Sequence, residues 1–442
     1  MKKIILLLTG ILLVSCSDFL NIEPEQAVSD EYSITDGKSA DVALNGVYNK
    51  LASDNYHGVS FRFIANLSAD NLRWVGNSPS NREFDVHEVF ATNTRIEGLW
   101  NTIYSTVNAT NHLIHKVPSI ADQTFSEENR NRILGEALFI RALAYFDLVR
   151  LWGGVPLMLT PTSSPQDGIG IARASIDQVY NSILEDLEQA ESLLDLSSER
   201  NRGTKGAVWA LQSEVYLHLK DWEKVVYYTS ALIDQQSIYQ LNERYSQFYL
   251  AKNTRESIFE IDYTINNRNN YAINWLPGSL GGRREFLPTD DLVTLLNSPN
   301  FGGDRKNLLL LEQGVYYGNM DFKPSTGIDQ TYIFRIASTY LNRAEAYAKL
   351  KEIDLANDDL LRIRGRANVQ NLERYNLNEI EEQIAIERRL EFAFEGKRWF
   401  DLIRTDKALS TLDISNAYKL LFPIPQQLIL VDPEILQNEG YN

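Results

Sequence analysis

Three glutamates recur at every fourth position near the end of the chain and could do acid–base chemistry. They are Glu387, Glu391 and Glu395, and four arginines are interleaved with them, Arg388, Arg389, Arg398 and Arg404. Two such carboxylates could act as acid and base, as in glycosidases. The alternative is a structural network of ion pairs, because like charges at i and i+4 destabilise an isolated helix unless they are paired. We favour the network, since ion pairs are the commoner origin of mixed charge among aromatic residues.

The element that positions these glutamates is predicted to be a helix with one buried face. The apolar residues with the required spacing are Ile386, Leu390, Ala393 and Phe394. Asn378 and Glu381 predict a capping box at the start of this helix. Gly396 predicts a break or bend, after which Trp399 begins a second, very apolar turn.

The rest of the chain offers little to an enzyme. The Gly-Lys-Ser at 37–39 has Tyr32 where a phosphate-binding loop needs glycine, and Gly168 and Gly170 are followed by Arg173 instead of a third glycine. Two of the five histidines share a helix face, which is too few for a metal site. The sequence therefore predicts no catalytic residue, no cofactor and no metal. A pair of carboxylates assembled from distant positions would still allow a surface glycoside hydrolase.

Two segments, 55–93 and 262–332, are rich in asparagine, glycine and aromatic residues and show few helix signals. Irregular insertions on a rigid frame commonly carry ligand sites. A sugar ring stacks on an aromatic ring while polar side chains bind its hydroxyls, so these segments suit carbohydrate. The same rings could instead pack the loops onto the frame. The candidate ligand-binding residues are Asp70, Asn71, Arg73, Trp74, Tyr271 and Trp275.

The frame beneath these loops is predicted to consist of helix pairs. Trp209, Ser213 and Tyr216 place a small residue between two large ones at 0, +4 and +7, and the same spacing recurs from Tyr340. This pattern predicts a predominantly α-helical fold: one domain, 37–442, of irregular tetratricopeptide-like helix pairs with long loop insertions and a few short strands. The predicted helix pairs span about 37–51 with 96–117, 130–150 with 175–195, 205–235, and 335–368.

The N-terminal segment is typical of an exported lipoprotein. Lys2 and Lys3 precede an apolar run that is too short to span a membrane. Cys16, the single cysteine of the chain, then follows Leu13-Val14-Ser15, as in a lipobox. These features predict a signal peptide at 1–15, lipidation at Cys16 and an extended tether at 16–36. The net charge of −16 argues against binding to nucleic acid and against a polybasic membrane contact.

Several segments, in the same order, resemble the SusD/RagB family of surface nutrient-binding lipoproteins of Bacteroidetes-type bacteria. The most distinctive are GEALFIRALAYFDLVRLWGGVPL at 135–157 and FEGKRWFDLIR at 394–404, and further segments lie at 16–20, 340–347, 363–367, 422–425 and 437–442. Most residues of these segments are expected to carry the fold.

The resemblance implies a non-catalytic protein, anchored in the outer membrane through Cys16 and facing the cell exterior. Such a protein captures an oligosaccharide and passes it to a SusC-like TonB-dependent transporter. The alternatives are a peptide-binding uptake lipoprotein, a repeat-type adaptor that binds protein, and the surface hydrolase. The family's ligand residues lie in variable loops, so the resemblance implies no particular ligand residue.

Overall fold

The structure, a computed structural model, describes residues 34–320 and 327–441. The predicted signal peptide, the lipidation site Cys16 and most of the predicted tether lie outside these residues. The α-helices are α1 (Gly37–Leu51), α2 (Ser60–Leu67), α3 (Pro79–Asp85), α4 (Thr94–Lys116), α5 (Glu127–Trp152), α6 (Ile176–Leu193), α7 (Lys205–Leu219), α8 (Trp222–Ile233), α9 (Gln247–Leu250), α10 (Ala272–Trp275), α11 (Asp290–Asn297), α12 (Ile336–Lys349), α13 (Ile353–Arg366), α14 (Ile380–Glu391), α15 (Arg398–Arg404), α16 (Ala408–Thr411) and α17 (Gln426–Val431). The strands are β1 (Leu72–Trp74), β2 (Ser257–Ile261), β3 (Phe286–Pro288), β4 (Leu309–Glu312), β5 (Val315–Gly318) and β6 (Thr331–Arg335).

The long helices pack in pairs around α5, which is buried along most of its length. α5 lies against α4 and α6, α7 pairs with α8, and α12 pairs with α13 and also contacts α8. Ser213 and Ala344 are buried at the small positions of the repeat pattern, where a larger side chain would hold neighbouring helices apart. The predicted fold class, predominantly α-helical with tetratricopeptide-like pairs and a few short strands, is confirmed.

Side-chain caps explain where several of these helices begin. Asp36 and Ser39 form a capping box at α1, and Ser175 and Gln178 form another at α6. The capping box predicted from Asn378 and Glu381 is wrong, because α14 begins at Ile380 and its N-terminus has no side-chain cap. Glu381 pairs with Lys349 of α12 instead, at 2.6 Å.

The six strands form three small antiparallel pairs, β1 with β3, β2 with β6, and β4 with β5. The β2–β6 pair is largely buried and adjoins α7 and α12. Segment 55–93 is less irregular than predicted, since it contains α2 and α3, and every residue of α2 is buried. Among the described residues, no helix combines the length and the apolar character needed to cross a membrane.

Candidate functional site

The three regularly spaced glutamates form the centre of a buried ion-pair network. Their partners come from distant parts of the chain: Arg305, Arg335 at the end of β6, and Arg364 and Arg366 of α13. Arg335 and Arg366 also bind Glu256, at 2.7 and 2.8 Å. The network therefore balances four carboxylates, including Glu256, with four guanidinium groups.

The electrostatics of this network do not suit a catalytic acid. Burial alone would raise the pKa of Glu391, but the charges of Arg366, Arg305 and Arg335 outweigh it and lower that pKa to about 2. A general acid needs a pKa shifted the other way, toward neutrality. The side chains of Glu387 and Glu391 are at most 1% exposed, so no substrate reaches them in this structure. The geometry thus supports the ion-pair interpretation of these glutamates.

The arginines of the same segment pair elsewhere. Arg388 binds Asp401 and the Asn342 side chain, while Arg404 binds Asp401 and Glu345. Arg398 makes a bidentate contact to Asp70, with Nε–Oδ1 and Nη2–Oδ2 distances of 2.8 and 2.9 Å. The C-terminal segment therefore reaches directly into the first predicted ligand loop.

The two predicted ligand loops are joined by the β1–β3 pair. Arg73 lies opposite Leu287 and Trp74 lies opposite Phe286. Beyond the strand, the backbone amides of Val75 and Gly76 both donate to the carbonyl of Glu285, at 2.8 and 2.9 Å. Because these segments are about two hundred residues apart in sequence, only the tertiary structure brings them together.

An aromatic stack runs from the interior to the surface across this strand pair. Its rings are Tyr271, Trp275, Phe286, Phe63 and Trp74. Consecutive centroids lie 5.1, 5.8, 5.4 and 5.9 Å apart, in edge-to-face contacts. Tyr271, Trp275, Phe286 and Phe63 are fully buried, whereas Trp74 is only partly buried.

Two of the predicted ligand rings are therefore not available to a ligand. Tyr271 and Trp275 are each 0% exposed, and a sugar cannot stack on a ring that has no accessible face. Tyr271 accepts a hydrogen bond from the Asn66 amide at 2.6 Å and carries the guanidinium of Arg62 over its ring. Both rings belong to the core beneath Trp74. This agrees with the alternative interpretation, in which the loop aromatics pack the loops onto the frame.

The polar candidates next to Trp74 also divide by exposure. Asn71 is buried, donates to the carbonyl of Ala393 at 3.0 Å and accepts from Arg389 at 2.9 Å. Burial would raise the pKa of Asp70, but the hydrogen bonds and charges of Arg398 and Arg389 lower it. Arg73 is exposed and lies 3.6 Å from Asp290. Asp70 and Asn71 thus hold the strand, and Arg73 stays accessible.

A surface pocket of about 500 Å³ opens beside Trp74; we call it the Trp74 pocket. The residues that line it with Trp74 are Gly76, Asn77, Ser78, Pro79, Arg82, Glu83, Val86, Glu88 and Phe90. All of them lie within the predicted segment 55–93, but Trp74 alone is among the predicted ligand residues. Phe90 carries no signal of exposure in the sequence, because it lies between Val89 and Ala91; its 61% exposure is a property of the folded chain.

Two acidic side chains of the pocket are held by groups outside it. Glu83 accepts hydrogen bonds from the Asn93 amide at 2.7 Å and from the backbone of Phe90 at 3.2 Å. Glu88 is paired with Lys419 from the C-terminal region. Gly76 lies so close to the Trp74 indole that a Cβ there would come within 2.4 Å of it. An aromatic face flanked by amide, hydroxyl and guanidinium groups is the arrangement that binds a sugar ring.

A second, interior cavity lies beside residues 395–401 and has a volume of about 50 Å³. Two of its carboxylates are paired, Glu214 with Lys397 at 2.9 Å and Asp147 with Arg150 at 2.5 Å. Burial would raise the pKa of Glu214, but Lys397 and Arg388 lower it to about 2. Since about 10–15 Å³ of such space holds one water, the cavity has room for a few waters and not for a sugar ring.

Comparison with protein families gives matches over most of the chain. A model described as "Starch-binding associating with outer membrane" matches residues 18–217, and one described as "SusD family" matches residues 295–418. SusD-like protein P38 of Formosa agariphila is 26% identical, with 99% of this chain and 98% of the relative covered. A SusD-like protein of Bacteroides ovatus is 25% identical over 91% of this chain and 82% of its own.

Solved structures show the same fold. A SusD superfamily protein from Bacteroides vulgatus superposes with a TM-score of 0.81 at 21% identity, covering 92% of this chain and 99% of its own. A protein described as a laminarin-binding SusD-like protein superposes with a TM-score of 0.78 at 25% identity, covering 91% and 99%.

Proposed function

Since the chain belongs to the SusD/RagB family, we propose that it captures a glycan in the Trp74 pocket without cleaving it. The observation that carries this proposal is the partly exposed Trp74 ring at the edge of a pocket of about 500 Å³. This volume is within the usual range of small-molecule sites, about 300–1,000 Å³. The buried rings beneath Trp74 hold its indole in place, so little side-chain entropy is lost when a sugar stacks on it.

The polar side chains around the ring suit hydroxyl groups. Asn77, Ser78 and Arg82 line the pocket, and exposed Arg73 lies on the same strand as Trp74. Amide and guanidinium groups make paired hydrogen bonds to vicinal hydroxyls, which fixes the orientation of a stacked ring. A laminarin-binding protein among the structural neighbours supports a glycan as the cargo.

The location and the partner are part of the same proposal. We place the protein at the outer membrane, held by acyl chains on Cys16, and infer that it delivers the glycan to a SusC-like TonB-dependent transporter. The family description, "Starch-binding associating with outer membrane", supports the location. The lipobox that ends at Cys16 supports the anchor.

Binding without turnover is favoured by the state of the nearby carboxylates. Glu83 is held by the Asn93 amide and Glu88 by Lys419. A glycosidase needs one carboxylic acid and one carboxylate flanking the scissile bond. Groups already engaged as hydrogen-bond acceptors and ion-pair partners are poorly suited to either role.

The test is a binding screen of residues 17–442 against laminarin, starch and xylan, with product analysis of each mixture. We expect retention of one glycan without cleavage, and a loss of about thirtyfold in its affinity in Trp74→Ala, or roughly 2 kcal/mol. Tyr227→Ala is the control, because Tyr227 is a ring 63% exposed on helix α8. Unchanged affinity in Trp74→Ala would refute the site. Glycan cleavage would establish the hydrolase, and binding of peptide or protein alone would establish the uptake or adaptor alternative.

A further inference from the structure

Two arginines of the C-terminal segment converge on the residue pair that precedes β1. Arg398 holds the Asp70 carboxylate in the bidentate contact described above. Arg389 adds an Nη2 contact of 3.3 Å to the same carboxylate, donates to the Asp70 carbonyl at 3.1 Å and donates through Nε to Asn71 at 2.9 Å. Every side chain in this cluster is mostly or fully buried.

Arg389 also reaches the second ligand loop. Its Nη1 contacts Asp291 at 2.7 Å, at the start of α11 and just after β3. Thr289, which caps α11, donates its hydroxyl to the Asp70 carbonyl at 2.9 Å and its amide to the Asn71 carbonyl at 3.0 Å. One guanidinium therefore joins both segments that form the β1–β3 pair.

Each strand of this pair has only three residues, so the ladder alone fixes its position weakly. Trp74 is four residues from Asp70, which corresponds to about 13 Å of extended chain. A shift at Asp70 is thus transmitted along β1 to the indole. This end of the strand must stay fixed if the Trp74 face is to hold a sugar ring in a single orientation.

We propose that Arg389, Arg398 and Asp70 are positioning residues for glycan capture. Through these residues the C-terminal segment holds the strand that carries Trp74. This inference rests on the proposed function, because its measured quantity is glycan affinity at Trp74. It assigns a role at the ligand site to Arg398 within the FEGKRW motif, and to Arg389 just before it, although neither lines the pocket.

The test compares Asp70→Asn with a control that loses an ion pair of the same geometry. The control is Asp359→Asn. Asp359 binds Arg343 in a bidentate contact of 2.7 and 2.8 Å, with side-chain exposures of 6% and 16%, against 19% and 14% for Asp70 and Arg398. Affinity is measured for laminarin, or for whichever of starch and xylan is retained in the screen. The substitutions are also made in a Trp74→Phe background.

We expect Asp70→Asn to lower glycan affinity about tenfold, which is within the range of coupling between positions linked by a shared backbone shift, and Asp359→Asn to leave it within about twofold. In the Trp74→Phe background, Asp70→Asn should cost clearly less than tenfold, since the two changes act through one ring. Arg398→Lys, which keeps the charge but loses the planar fork, should retain part of the affinity that Arg398→Gln loses.

Three outcomes would overturn the inference. The first is unchanged affinity in Asp70→Asn when Trp74→Ala loses binding, a result that leaves the proposed function intact. The second is an equal loss in Asp70→Asn and Asp359→Asn, which would mean that general destabilisation is responsible. The third is full additivity of Asp70→Asn and Trp74→Phe. Failure of every glycan to bind would instead refute the proposed function, and the inference with it.

Discussion

Neutralising Glu391 is expected to be one of the most damaging single changes in the helical frame. Glu391→Gln keeps the size of the side chain but leaves Arg305, Arg335 and Arg366 with one carboxylate fewer. Arg305 Nε and Arg335 Nη1 each lie 2.9 Å from a Glu391 oxygen, and Glu391 is completely buried. Removing one partner of a buried ion pair typically costs about 3–5 kcal/mol, because the remaining charge stays in the low-dielectric interior.

The lowered pKa of Glu391 gives a similar magnitude. One pKa unit corresponds to about 1.4 kcal/mol, so a fall from 4.5 to about 2 contributes about 3 kcal/mol at neutral pH. Because the pKa of the folded state lies below that of the unfolded chain, this contribution is complete above about pH 4.5. It is lost as the pH falls through about 2.

The assay is urea unfolding of residues 17–442 at several pH values between 2 and 7, with Glu381→Gln as the control. Glu381 lies on the same helix and pairs with Lys349, but the two side chains are 48% and 35% exposed, so its loss should cost at most about 1 kcal/mol. Glu391→Gln should lower the free energy of unfolding by about 3 kcal/mol at pH 7. It should also reduce the slope of stability against pH below 4.5. A loss under about 1 kcal/mol, or an unaltered pH slope, would refute the electrostatic account of this network.

Two further predictions concern the rings and turns that support the site, both checked by urea unfolding. Trp275→Ala should cost about 3–5 kcal/mol because it empties the buried centre of the aromatic stack. Trp275→Phe should cost clearly less, since the indole Nε1 has no hydrogen-bond partner among the described residues; equal costs would contradict this. Gly396→Ala should cost about 1–2 kcal/mol, because Gly396 has a φ of +77° and a Cβ would lie 3.3 Å from the Arg62 backbone. Gly365→Ala, in a helix with open space around the site, should be neutral or stabilising; a similar loss in both would refute the strain argument.

Much of the frame follows from local sequence. The alternation of large and small residues around Ser213 and Ala344 follows the period of an α-helix. It therefore predicts which helix faces are buried and that the helices pack in pairs. The need of Glu387, Glu391 and Glu395 for cationic partners is also local, because like charges one helical turn apart repel. The sequence did not show which arginines meet that need. The nearest arginines, Arg388 and Arg389, bind other groups. The observed partners of the glutamates are farther away in sequence, and Arg305 is the most distant of them.

The candidate ligand site shows the same division. Composition and irregular spacing indicated the segments 55–93 and 262–332. Trp74 was a candidate among their rings because residue type alone shows that a side chain is aromatic and could stack on a sugar. Residue type does not reveal which rings are buried. Tyr271 and Trp275 have the same composition signal as Trp74, yet the β1–β3 pairing covers them and leaves Trp74 at the surface. That pairing depends on contacts between residues about two hundred positions apart, and such contacts are set by the packing of the whole frame. The sequence by itself therefore determined the helical class and the candidate segments, and the tertiary structure decided which of their side chains are exposed.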